Sequence, residues 1–217
     1  MYLTRFQVNP LRRGAAKLLS SRQAMHAAVL GGFPELAPSS AGRVLWRLDT
    51  APHKTLLYIA SPERPDLTHL VEQAGWPTHE PGWRTADYTP VIRRLEAGQR
   101  LAFRLAANPV HRETKEGTQR GKVYGHVTVA QQEKWLLDRA DAIGVSFVDD
   151  KAEQTMRVTR RETVSFRRQG STVTLRVAQY DGTLTVRDPE AFAHALAHGI
   201  GRAKGYGCGL LTIARAG

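Results

Sequence analysis

The sequence predicts an α+β fold of two tandem βαββαβ units, and three observations carry that prediction. Strand-like alternation and helical periodicity follow one another in the order β-α-β-β-α-β over residues 2–92. The same order returns, more loosely, from residue 99 onward. Hydrophobic residues make up 41% of the 217 positions, enough for a packed core and too many for a disordered chain, in a length that allows one large domain or two small ones.

Element by element, residues 2–8 alternate as a strand, and a helix is expected from Leu18 to Leu30, started near Ser20 or Ser21 and stopped by Gly31-Gly32. "RVLWRLD" (43–49) and "KTLLYIA" (54–60) read as strands joined by a Thr-Ala-Pro-His turn. Asp66 caps a short helix that Gly75 ends, and "WRTADYTPVI" (83–92) supplies a closing strand. That order is the split βαβ pattern of a ferredoxin-like domain, the architecture also used by RNA-recognition motifs. In the second half "QRLAFRLAAN" (99–108) is a strand and 130–144 a helix. "VSFVDD" (145–150) and "TMRVTRRETVSF" (155–166) are strand-like, and 172–186 is expected to be a hairpin turning at Asp181-Gly182. Asp188-Pro189 opens a helix over 189–198, and "GLLTIA" (209–214) closes the second unit. The division falls near 93–98, giving domains 1–93 and 99–217. No internal sequence repeat supports it, only the repeated order of elements.

Lys and Arg number 31 against 20 acidic residues, a net charge of +11 with a pI near 10.3. Such an excess attracts polyanions, nucleic acid first. The charge is spread through the chain: fourteen basic against eight acidic residues before position 109, seventeen against twelve after it. Both halves are therefore expected to face the polyanion. An anionic membrane is the lesser alternative, since no basic amphipathic helix of the needed length appears. Cys208 is the single cysteine, which excludes an intrachain disulfide and a cysteine-based zinc site. With no signal peptide and no long apolar run, a soluble, cytoplasmic protein is expected.

The most distinctive stretch is "GIGRAKGYGCGLLTI" (199–213), with five glycines in its first eleven positions. It is not a Walker loop, because no G-x-x-x-x-G-K-[ST] string exists. Nor is it a dinucleotide fingerprint, because it runs helix, glycines, strand rather than strand, glycines, helix. Two readings remain: a tight helix-to-strand connection, or a loop whose backbone N–H groups approach a phosphate beside Arg202 and Lys204.

This glycine segment resembles the C-terminal glycine-rich loop of CRISPR repeat-processing endoribonucleases of the type I-E subfamily, CasE. The "MYLTRFQV" start and "LAFRLAANPV" (101–110) agree with the same family, so the resemblance touches both ends and the middle. It implies two tandem ferredoxin-like domains and metal-free, cofactor-free cleavage of a CRISPR repeat RNA at the base of its hairpin. The 2′-hydroxyl attacks, leaving a 2′,3′-cyclic phosphate and a 5′-hydroxyl. It also implies that the enzyme keeps the mature guide RNA within the surveillance complex, Cascade, beside the other subunits.

Carried onto this chain, the resemblance makes His26 the catalytic histidine, in "SSRQAMHAAVL" (20–30), a side chain suited to proton transfer near neutrality. Relatives carry a tyrosine three residues earlier; here that position is Gln23, which can position RNA but cannot titrate. Arg22 or Lys17 would then stabilise charge in the transition state. His194 and His198, four apart on a helix, lack a third metal ligand, so no metal site is expected. For RNA, the resemblance singles out the arginine ribbon, with Arg157, Arg160 and Arg161. Strict alternation there would set Arg157, Arg161 and Arg167 on one face if no bulge intervenes. Lys115, Arg120 and Lys122, in a glycine-rich segment, are expected to order on RNA. Arg22, Gly201, Arg202, Lys204, Gly205 and Gly207 complete the RNA-binding set. The glycine loop should lie next to the helix that holds His26. The missing tyrosine leaves one alternative, a non-catalytic hairpin-binding subunit of the same complex.

Overall fold

The computed structural model describes residues 1–34, 42–78, 82–113, 122–168 and 170–216. The first unit comprises β1 (Tyr2–Val8), α1 (Arg13–Ser20), α2 (Arg22–Leu30), β2 (Leu45–Ala51), β3 (Lys54–Ser61), α3 (Thr68–Ala74), β4 (Trp83–Asp87) and a short α4 (Thr89–Arg93). Its sheet is ordered β2-β3-β1-β4 and antiparallel at every pairing. This is the strand order of the ferredoxin-like fold. Phe6 and Val8 of β1 meet Met25 and Val29 of α2, Trp46 of β2, and Leu57 and Ile59 of β3 in one core.

The second unit repeats the order with additions. It runs β5 (Arg100–Ala107), β6 (Val110–Glu113), β7 (Lys122–Gly125), α5 (Val129–Leu137), α6 (Ala140–Ile143) and β8 (Val145–Ser146). Then come β9 (Met156–Arg168), β10 (Ser171–Val186), α7 (Pro189–His198), a 3-10 turn (Lys204–Tyr206) and β11 (Leu211–Arg215). The sheet reads β11-β5-β10-β8, with β9 also paired to β10. Taking β8 and β9 as a divided second strand, this is again the ferredoxin-like order. The fold class expected from the sequence is the one observed.

Several local expectations are corrected. Residues 13–30 form two helices, because Ser21 is extended and its hydroxyl caps α2 by accepting from the Ala24 N–H at 3.2 Å. α1 has no side-chain cap among the described residues; burial of Ala15 and Leu18 holds it in place. The 83–92 run is strand only to Asp87, the 130–144 helix breaks at Asp138-Arg139, and 145–150 is strand only at Val145-Ser146. The hairpin expected at Asp181-Gly182 does not exist. β10 runs through those residues, paired on both sides: Gly182 opposes Phe103 of β5 and Met156 of β9. A Cβ on Gly182 would stand 2.6 Å from the Met156 Cα. The glycine serves close backbone approach rather than a turn.

The two sheets are joined by a buried arginine. Arg47, 2% exposed, holds Asp49 through Nε and Nη2 at 2.7 and 3.0 Å. It also donates to the carbonyl oxygens of Arg104 (2.9 Å) and Leu210 (3.1 Å) and to the Thr212 hydroxyl (2.9 Å). Arg104 extends the network to Asp181 at 2.5 Å. The guanidinium fork can satisfy this many acceptors at once, which a lysine could not. No described helix is long and apolar enough to cross a membrane.

Candidate functional site

The glycine segment crosses from the second unit to the first and ends on α2. A Cβ on Gly205 would lie 3.1 Å from His26 Nε2. One on Gly207, which sits at φ +77°, would lie 2.6 Å from the Trp46 ring and 2.8 Å from Arg22 Nη1. Glycine at 207 is thus required twice, by a left-handed backbone and by contact with a tryptophan and an arginine. Tyr206 stands edge-on to His26 with ring centres 6.4 Å apart and packs on Phe166 of β9.

Among the described residues the polar contacts around His26 are few and specific. The Trp46 indole N–H donates to Nδ1 at 3.4 Å, so the neutral ring keeps its proton on Nε2, the nitrogen that faces the glycine loop. Burial, then the Arg43 charge, hold the imidazole below the ordinary histidine range. Burial, again with Arg43, lowers the Lys204 ammonium. Gln23 lies one turn before His26 on α2 and is half-buried. Arg22 stacks over Trp46, 5.7 Å from the ring centre, and forms an ion pair with Glu162 of β9. The catalytic-helix candidate and the arginine ribbon are therefore tied directly: Arg160–Glu162–Arg22–Trp46–His26 is one chain of contacts, with Arg160 at 3.7 Å from Glu162. Burial pushes the Cys208 thiol up to about 12; with 0% exposure it is a packing residue.

The ribbon differs from strict alternation. The β9–β10 register shifts opposite Gln179 and Tyr180, leaving Thr159 as an extra residue. Arg157 (opposite Asp181) and Arg160 (opposite Gln179) therefore share a face with Glu162, Val164 and Phe166. Arg161 and Arg167 lie on the other face, and Arg161 donates to the Val127 carbonyl oxygen at 3.1 Å. The expected grouping of Arg157 with Arg161 is overturned by this bulge. Arg157, Arg160 and Arg161 are all exposed.

The glycine segment is itself divided. Lys204, Gly205 and Gly207 serve the His26 side, whereas Gly201 packs against Trp135 and Arg202 bridges to Asn108 of the second unit. Lys115 and Arg120 lie outside the described residues, and Lys122 opens β7. The sequence reading missed Trp46, Glu162, Arg43 and Tyr206. Trp46 looked like an ordinary core position within an alternating strand. Only Glu162 carried a signal, as the lone acid among five arginines of "RVTRRETVSFRR" (157–168).

Comparison with known proteins gives this site a setting. The family described as CRISPR associated protein matches residues 1–215. The CRISPR-associated endoribonuclease Cse3 of Thermus thermophilus is 26% identical over 221 residues, covering 99% of this chain and 100% of that protein. The CRISPR system Cascade subunit CasE of Escherichia coli is 26% identical over 180 residues, covering 78% and 88%. A solved structure of Cse3 bound to a 19-nucleotide RNA superposes with a TM-score of 0.83 at 27% identity, covering 99% of this chain and all of that one.

Proposed function

The chain belongs to the CRISPR-associated protein family, in the branch of Cse3 and CasE, and from that premise we propose that it cleaves CRISPR precursor RNA at the base of the repeat hairpin and keeps the product. It is an endoribonuclease whose partners are the CRISPR RNA and the Cascade subunits. The domains divide at 94–98, and the cut is made where they meet, between α2 and the glycine segment. One observation carries this reading: His26 presents Nε2 to a glycine loop shaped for close approach, while Trp46 occupies Nδ1.

The chemistry follows from that arrangement. Trp46, burial and Arg43 all disfavour the imidazolium, so the resting ring is neutral. A scissile phosphate beside Nε2 has the opposite effect and draws a proton from solvent onto Nδ1, which releases the Trp46 N–H. The ribose 2′-oxygen then bonds to phosphorus, and its proton passes to solvent while Gln23 orients the hydroxyl. The bond to the 5′-oxygen breaks, and His26 Nε2 gives that oxygen its proton. A 2′,3′-cyclic phosphate and a 5′-hydroxyl result. Lys204 and Arg22 stabilise charge on the phosphorane. Arg157 and Arg160 bind the stem from one face of β9 and Arg161 from the other, with Arg202, Gly201 and the Lys115–Lys122 segment adding backbone contacts.

The test is single-turnover cleavage of the repeat hairpin from the protein's own CRISPR locus, in EDTA. We expect cleavage by the wild type, with a rate at least about a hundredfold lower in His26→Ala. No cleavage is expected when the nucleotide at the cut carries a 2′-deoxyribose. Tight binding without wild-type cleavage would instead make the protein a hairpin-holding subunit. Cleavage of the 2′-deoxy substrate would refute the mechanism.

A further inference from the structure

The arm of the glycine segment that does not serve His26 ends in a second groove, on the second unit. The groove has a volume of 610 Å³ and is lined by His111, Arg112, His126, Trp135, Arg139 and Arg202, among others. That size lies within the range of about 300–1,000 Å³ seen for small-ligand sites. Trp135 is 3% exposed, and its indole N–H has no partner among the described residues. Arg139 lies over the Trp135 ring at 4.2 Å and is anchored there by donating to the Trp135 carbonyl oxygen at 2.7 Å. On the β6–β7 ribbon His111 stacks on Tyr124 (5.9 Å) and meets His126 at 4.8 Å. The loop reaches this groove only because residue 201 is glycine: at φ +78°, a Cβ there would stand 2.9 Å from the Trp135 ring.

The chemistry of these walls is that of a single-strand nucleotide site. Planar groups provide surfaces for a base: the exposed His111, with Tyr124 stacked on it at the edge of the groove, and the Arg139 guanidinium. Arg112, Arg139 and Arg202 provide charge for a phosphate, while Lys134 and Asp138 neutralise each other at 2.6 Å. Stacking platforms beside a cationic track are how proteins hold unpaired nucleotides without reading their sequence. Position fits as well. Gly205, against His26, follows Arg202 in the groove by three positions, about 10 Å at full extension. A strand leaving the cut would cross the glycine loop and enter the groove.

We propose that this groove holds an unpaired nucleotide of the RNA strand flanking the hairpin, its base on the His111–Tyr124 rings and its phosphate at Arg139. This rests on the hairpin-cleavage reading above and extends it to the single-stranded flank. The test compares two uncleavable 2′-deoxy substrates by fluorescence anisotropy, the bare hairpin and the same hairpin with single-stranded extensions on both sides. The extensions carry 2-aminopurine. The wild type should bind the extended RNA about tenfold more tightly than the bare hairpin and quench the 2-aminopurine. His111→Ala combined with Tyr124→Ala, both exposed positions, should abolish the gain and the quenching while leaving bare-hairpin affinity as it was. Arg139→Lys should keep part of the gain, since charge remains and the planar stack does not. Equal affinity for both RNAs in the wild type, or an undiminished gain in the double variant, would overturn the inference and leave the hairpin reading standing. Failure of the wild type to bind the bare hairpin would overturn that reading and this inference with it.

Discussion

The two sheets share one strand order but use their equivalent hairpins and crossovers differently. In the first unit the β2–β3 hairpin is short, closes at Ala51 and Lys54, and sends Trp46, Leu57 and Ile59 into the core. In the second unit the equivalent β9–β10 ribbon runs for 13 and 16 residues and exposes its arginines. The final crossovers differ too: α7 reaches β11 through the glycine segment, which leaves its own unit and touches His26 in the other. The repeated fold supplies a rigid frame, and the proposed chemistry lies where the second unit's departures from it meet α2 of the first. Those departures work only if the two frames are held together, which gives an order to the experiments.

The largest effect should come from breaking that attachment. Arg47→Ala would leave Asp49, the carbonyl oxygens of Arg104 and Leu210, and the Thr212 hydroxyl short of their common donor. Removing one partner of a buried ion pair costs about 3–5 kcal/mol, so denaturant unfolding should show a destabilisation of that order. A change under about 1 kcal/mol would mean the sheets pack together without this anchor. Next is Gly207→Val, which forces a side chain onto Trp46 and Arg22. A displaced glycine loop should slow single-turnover cleavage about a hundredfold, read on protein whose folding is checked by denaturant unfolding, since valine at φ +77° also strains the backbone. Unaltered cleavage would show that the crossover's approach to α2 is incidental.

The frame was legible in the sequence; of the crossings between its halves only the glycine loop's approach to the His26 helix was expected, and that through resemblance. Element order revealed both units because alternation and helical periodicity are local. The Asp181-Gly182 dipeptide misled because its strong local turn preference is overridden by pairing to β5 and β9 at once. Helix α1 was missed because it lacks an N-cap signal and is held by packing alone. His26, Gly205 and Gly207 could be nominated through resemblance. Trp46 could not, and Glu162 only by standing alone among arginines, because their role is contact between residues twenty and one hundred and forty positions apart in the chain.

The arginine ribbon offers a smaller effect with a sharper geometric content. If Thr159 bulges as described, Arg157→Gln and Arg160→Gln strip charge from one face, and Arg161→Gln from the other. Each arginine withdrawn from a phosphate should weaken binding several-fold and lower the slope of log affinity against log salt by about one. The diagnostic is the double variant. Arg157 and Arg160 should be non-additive as neighbours on one face, and Arg157 with Arg161 additive across the sheet. The reverse pattern would restore strict alternation and rule out the bulge.

The smallest effect, and the one closest to the chemistry, concerns Trp46. Its indole N–H donates to Nδ1 of His26, an interaction available to the neutral ring and broken by protonation. Burial and Arg43 act in the same direction, so wild-type His26 in the free protein should titrate below the ordinary value of about 6.5. The sign follows directly. Trp46→Phe keeps the ring packing and removes the donor, so the neutral form loses support and the titration midpoint rises, though not fully, because burial remains the larger cause. Ring ¹⁵N and ¹³C NMR of the free protein measures both the midpoint and the tautomer, the latter shifting away from proton-on-Nε2 in the variant. A midpoint that stays put, with the tautomer unchanged, would show that Trp46 merely packs beside His26. A raised midpoint would assign the first unit's core tryptophan a part in keeping His26 neutral, with its proton on the nitrogen that faces the glycine loop.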